Sequence, residues 1–227
     1  MRLLLIPVFC LPLLQGGVVL TFDQAAGGPS VDQAYGDNVS TNPQGGNSYG
    51  TVANGFGFTP NITVTYGAPG EALNIFGSDY GDLTNVAYNE NDGDTSLTIT
   101  FDAAGGFNVI LFGFDLGGWN RTDYTLQNIS VFDGGAATLF SQNNVAVNGA
   151  AGHSSISFGA GLQASTLRLV LDLSGLGSSS DNIGIDNIHF GQVSVTSTPP
   201  APSGVPEPAS FLLIGAGLLA IAYKRRK

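Results

Sequence analysis

The chain has 227 residues, of which 43% are hydrophobic and 33 are glycine, a composition that suits one sizeable turn-rich globular domain. Between Val18 and Val205 two arginines face 16 carboxylates, a formal charge of −14 that argues against nucleic acid or an anionic lipid surface as partner and favours divalent cations. Cys10 is the single cysteine, so disulfide frameworks are excluded, and cysteine chemistry with them if the first residues are removed.

Residues 1–17 combine Arg2, an apolar run from Leu3 to Leu14 and the pair Gly16-Gly17, the pattern of a secretory signal peptide with cleavage near the glycines. A buried first strand is the competing reading, and Pro7 and Pro12 oppose it because each would remove a ladder donor.

From residue 18 onward the chain reads as short strands separated by Gly, Asn, Asp and Ser. Leu167, Leu169, Leu171 and Leu173 alternate with Arg168 and Asp172, the period-2 signature of a half-buried strand. Residues 61–66 and 96–101 repeat that signature, and further strands are expected at 18–22, 73–76, 107–116, 126–132, 138–141, 154–158 and 183–190. With no amphipathic helical stretch among them, these elements predict an all-β, antiparallel β-sandwich of the jelly-roll type over residues 18–192.

Catalytic motifs are weak. Gly46-Asn-Ser-Tyr-Gly50 matches the G-x-S-x-G pattern, but its flanks are turn residues and not the strand and helix that expose a nucleophile such as Ser48. His153 and His189 are the only histidines, which excludes a three-His or H-E-x-x-H zinc site. The acidic run Asn89-Glu-Asn-Asp-Gly-Asp94 could supply the carboxylates of a glycan hydrolase, or Asp92-Gly93 could be an ordinary hairpin turn. Trp119, the single Trp, stands near Asn120, Arg121, Asp123 and Tyr124; Trp119 and Tyr124 form a candidate carbohydrate platform, and a structural staple under a loop is the alternative for Trp119.

Residues 193–204, rich in Ser, Thr and Pro, are expected to be an extended linker. After them come Pro206-Glu207-Pro208 and an apolar run from Phe211 to Tyr223, expected as a short transmembrane helix. Lys224, Arg225, Arg226 and Lys227 follow, a stop-transfer cluster marking the cytoplasmic end.

This order of Pro-Glu-Pro signature, apolar helix and basic cluster resembles the PEP-CTERM sorting signal, at residues 205–227. The resemblance implies that Val205, Pro206, Glu207, Pro208, Ala209 and Ser210 are recognised and cut by an exosortase while the helix holds the chain in the inner membrane. It also implies a Gram-negative bacterium that makes extracellular polysaccharide, with the protein exported, transiently anchored and then left on the cell surface or in the matrix. Its body would be a non-enzymatic surface or matrix protein, with a carbohydrate-binding module and a glycan hydrolase as alternatives.

More weakly, Thr21-Phe-Asp23, Phe112-Gly-Phe-Asp-Leu-Gly-Gly-Trp119 and Ile185-Asp-Asn-Ile-His-Phe190 resemble galactose-binding-like jelly rolls. That resemblance implies a structural calcium where the first and last strands meet, held by Asp186 with Asp23 facing it. The Asp186-Asn187 pair reads equally as a turn or bulge.

Overall fold

A computed structural model describes residues 17–22, 30–39, 58–67 and 72–195. The chain divides into two units, Met1–Val195 and Thr196–Lys227, and the second lies wholly outside the described residues. The signal segment up to residue 16, Gly46–Gly50, the sorting residues Val205–Ser210, the apolar run and the basic cluster are likewise outside them. Among the described residues, no helix is long and apolar enough to cross a membrane.

The described strands are β1 (Val18–Leu20), β2 (Ile62–Tyr66), β3 (Asn74–Phe76), β4 (Val86–Tyr88), β5 (Ser96–Ala103), β6 (Phe107–Gly118), β7 (Tyr124–Asp133), β8 (Thr138–Val147), β9 (Ser154–Ala164), β10 (Thr166–Asp172) and β11 (Ile183–Ser194). A single 3-10 turn, Gly177–Asn182, precedes β11. The strands form two antiparallel sheets. One has the order β3-β4-β11-β6-β9, with β1 pairing β11 beside β4, and the other has the order β2-β5-β10-β7-β8.

Alternation decides which side chains face inward. Leu97, Ile99 and Phe101 of β5 and Leu167, Leu169 and Leu171 of β10 are fully buried, as are Leu111, Leu116, Ile183, Ile185 and Phe190 across the sandwich. Phe101 and Phe190 meet between the sheets with ring centroids 5.1 Å apart. Each such side chain contributes about 1.5–3 kcal/mol through its removal from water.

The all-β sandwich expected from the sequence is the observed architecture, with local differences. β4 was not expected: it is only three residues long, and Asn85 before it turns the chain with φ 59°. β8 and β9 run six residues further than expected, to Val147 and Ala164, because neighbouring strands supply the ladder for polar and Gly-rich segments. Val193 and Ser194, placed in the linker by composition, are instead the last residues of β11, opposite Asn108 and Phe107. Asp92-Gly93 does form a turn, with Gly93 at φ 88°, but it carries the chain from β4 in one sheet to β5 in the other and closes no hairpin.

Candidate functional site

Beyond the main core, a second apolar cluster lies on the outward face of the β3-β4-β11 edge. On β4, Ala87 belongs to the main core, so the alternation turns Val86 and Tyr88 outward; on β3, Ile75 packs inward and Asn74 and Phe76 point out. Phe76 pairs with Val86 and Asn74 with Tyr88 in the ladder, which puts Phe76 and Tyr88 on one patch.

The loop between β3 and β4 folds back over this patch and carries Tyr80, 2% exposed. Two glycines make room for it. A Cβ on Gly117 would stand 2.3 Å from the Tyr80 carbonyl oxygen, and one on Gly184 would stand 2.5 Å from Val86 Cγ2 and 2.8 Å from Tyr80 Cδ1. Trp119 follows β6 directly, bridges to Tyr80 and donates its backbone N–H to the Asn182 carbonyl at 2.9 Å. Asn120 and Arg121, at φ 52° and 54°, then turn the chain away.

The result is an aromatic wall. Phe76 and Trp119 meet edge-on at 4.5 Å, Tyr80 and Trp119 at 5.2 Å, Tyr80 and Tyr88 at 5.9 Å, and Phe76 and Tyr88 at 6.1 Å. With Glu90, Asp181 and Asn182 these four rings line a cavity of ≈ 150 Å³. That is below the ~300 Å³ of the smallest pockets for drug-sized ligands, so it suits one small ring or head group.

Its polar groups have distinct states. Glu90 accepts hydrogen bonds from the Tyr88 hydroxyl and from Asn74 Nδ2, the latter at 2.7 Å, and these hold its carboxyl below the usual range. Burial, then the Glu90 hydrogen bond and charge, push the Tyr88 hydroxyl up to about 12, and burial raises Tyr80 further still. The Tyr80 hydroxyl donates to the Asp181 carbonyl at 2.7 Å. Asp181 Oδ1 is buried with no hydrogen-bond partner among the described residues, and its pKa is raised by burial first and by Asp92 and Glu90 after it. Next to it, Ser180 Oγ accepts from Gly93 N at 2.8 Å and donates to the Asn91 carbonyl at 3.2 Å, which ties the 3-10 turn to the turn before β5.

Of the two expected carbohydrate residues, Trp119 lines this cavity and Tyr124 does not. Tyr124 opens β7, in the other sheet, and packs against the main core. Phe76, Tyr80, Tyr88, Glu90 and Asp181 were missed as partners of Trp119. Glu90 lies in the acidic run 89–94, which reads as a turn or as a hydrolase's carboxylates, and nothing in the sequence joins that run to Trp119.

Asp186 is 4% exposed and its Oδ1 accepts the Asn187 N–H at 2.7 Å. Asn187 has φ 50°, and the ladder to β6 shifts register between Asp186 and His189, so the pair forms a bulge. Asp23, its expected calcium partner, lies outside the described residues. Among the described residues, no group of three His, Cys, Asp or Glu is arranged to hold a metal ion.

A separate polar cluster braces the Tyr80 loop. His153 Nδ1 lies 2.8 Å from Asp82 Oδ1, and His153 Nε2 lies 3.8 Å from Asp115 Oδ1. Ser155 Oγ and Asn187 Nδ2 donate to Asp115 at 2.6 and 3.0 Å. His189, by contrast, stacks on Phe112 at 4.6 Å, and burial lowers its pKa.

Among curated proteins none matches the sequence at a significant level. Of solved structures, an arabinose-bound α-L-arabinofuranosidase, MgGH51, aligns with 79% of this chain at 9% identity and a TM-score of 0.43. A mutant Ruminococcus gnavus GH29 fucosidase in complex with fucose aligns with 60% at 12% identity and a TM-score of 0.33. The alignments span 27% and 26% of those longer chains, and at such scores they bear on neither fold nor chemistry. Residues 204–227 match the PEP-CTERM protein-sorting motif, so the chain carries the sorting signal of exosortase-processed exported proteins.

Proposed function

We propose that this is an exported, non-enzymatic surface or matrix protein whose body holds a glycan in the Trp119 cavity. An exosortase processes it at residues 205–210 from an inner-membrane intermediate, with residues 1–17 as the signal peptide, Phe211–Tyr223 as the membrane helix and Lys224–Lys227 as the stop. The observation that carries this reading is the sorting motif at residues 204–227, which accounts for the apolar run and for the placing of four of the seven basic residues at 224–227. The body's strand order supports a jelly roll, because β4-β11-β6-β9 faces β5-β10-β7-β8, the interleaving that a folded-over strand pair produces.

Glycan binding is supported by a cavity lined by four aromatic rings together with two acidic side chains and an amide, since a sugar ring offers C–H faces to π systems and hydroxyls to polar groups. The test is calorimetry of the full chain, in a detergent that is not itself a sugar, against oligosaccharides prepared from extracellular polysaccharide. Trp119→Ala is expected to weaken binding about tenfold or more, the equivalent of ~1.4 kcal/mol. Unchanged affinity in that variant, or no binding by wild type, overturns the reading.

A second reading, a glycan hydrolase, draws on one observation: Glu90 and Asp181 flank the same cavity with pKa values displaced in opposite directions. Release of reducing ends that disappears in Glu90→Gln would favour it over simple binding.

A further inference from the structure

We infer that the sugar held in this cavity carries a free amine, so that the glycan is a cationic one built from amino sugars that are not N-acetylated. The inference rests on the glycan reading above and names its substrate class.

The two tyrosine hydroxyl protons at the cavity are committed, that of Tyr80 to the Asp181 carbonyl and that of Tyr88 to Glu90. Glu90 and Asp181 keep carboxylate lone pairs, and Asp181 Oδ1 has no partner among the described residues. An ammonium group has three donors and no acceptor, so it can bond the exposed Glu90 carboxylate and bring its charge beside Asp181 without needing a donor from the protein. An N-acetyl group is uncharged and leaves both acidic side chains without a cation.

Charge points the same way. None of the residues lining the cavity is basic, and burial, then the charges of Asp92 and Glu90, oppose ionisation of Asp181. Four aromatic rings stand around the cavity, and a cation over the face of any of them gains from the ring quadrupole. At longer range, 16 carboxylates against two arginines between Val18 and Val205 draw cationic chains toward the surface. The cavity's small size limits the fit to one sugar unit, which then reads the substituent instead of the chain length.

The test compares β-linked glucosamine oligomers with N-acetylglucosamine oligomers of matched length, titrated into the full chain in a detergent free of sugar at near-neutral pH. Glucosamine oligomers are expected to bind about tenfold or more tightly. Glu90→Gln, at an exposed position, is expected to reduce that preference to within about threefold, and Asp181→Asn to do the same, while Trp119→Ala weakens both ligands. Equal affinity for the two oligomers, or a preference that survives both carboxylate variants, overturns this inference and leaves the glycan reading standing. A lysine-rich peptide that binds more tightly than the glucosamine oligomer also overturns it. Failure of wild type to bind either saccharide overturns both.

Discussion

His153 Nδ1 and Asp82 Oδ1 lie 2.8 Å apart, joining the loop after β8 to the loop that carries Tyr80. The backbones meet at the same place, where a Cβ on Gly81 would stand 2.1 Å from the Gly152 carbonyl oxygen. The Asp82 hydrogen bond, with smaller contributions from Asp115 and Asp186, raises the His153 pKa above its ordinary 6.5. The same bond lowers Asp82 below 3.8.

A pH-dependent stability follows. His153 contributes fully below its unfolded pKa, and that contribution is lost as pH rises through the higher folded value. Asp82 contributes above 3.8 and loses its share as pH falls through the lower folded value. The window therefore runs from about pH 4 to about pH 6.5. Asp82 is largely in water and the His153 side chain is a third exposed, so the pair is worth at most ~0.2–1 kcal/mol, a melting shift under about 4 °C. The difference in melting temperature between wild type and His153→Ala is expected to be largest near pH 5 and to shrink toward about pH 8. A difference independent of pH would show that His153 acts by packing alone.

Gly117→Ala tests how the Tyr80 loop is seated. The added methyl would press on backbone, 2.3 Å from the Tyr80 carbonyl oxygen, so the loop must lift. A loss of ~1–3 kcal/mol is expected in denaturant unfolding, with saccharide affinity falling alongside. Retained stability and affinity would mean that the loop is not held against β6 as described.

Phe101→Ala probes the sandwich itself, since Phe101 is fully buried and touches Phe190 across the sheets. The expected loss is about 3–5 kcal/mol, against a change near zero for Leu139→Ala on the exposed face of β8. Comparable effects at the two positions, read by chemical denaturation, would contradict the assignment of the core.

What the sequence disclosed depended on how local the signal was. Leu167, Leu169 and Leu171 carry their alternation within one strand, so the sandwich could be read from pattern alone. Val193 and Ser194 could not, because Ser and Thr composition resembles a linker until Phe107 and Asn108 are known to lie opposite. The cavity was legible only in pieces, as Trp119 and as the acidic run that holds Glu90. Its walls come from residues 76, 80, 88, 90, 119, 181 and 182, which no spacing rule connects. Tyr124 was grouped with Trp119 because they are five positions apart, but the turn between them moves the chain from one sheet to the other.

Glu207→Ala is expected to leave the melting of the strand-rich body unchanged, since Glu207 lies beyond β11, while slowing release of the protein from the membrane fraction. Release at the wild-type rate would remove Glu207 from the recognition signal.

The most direct measurement is the intact mass of the protein recovered outside cells of a host that has an exosortase. The predicted species begins near Val18 and lacks the residues from about Pro208 onward, because both ends have been processed. Recovery of a released chain that still contains Lys227 would contradict sorting through the motif at residues 204–227.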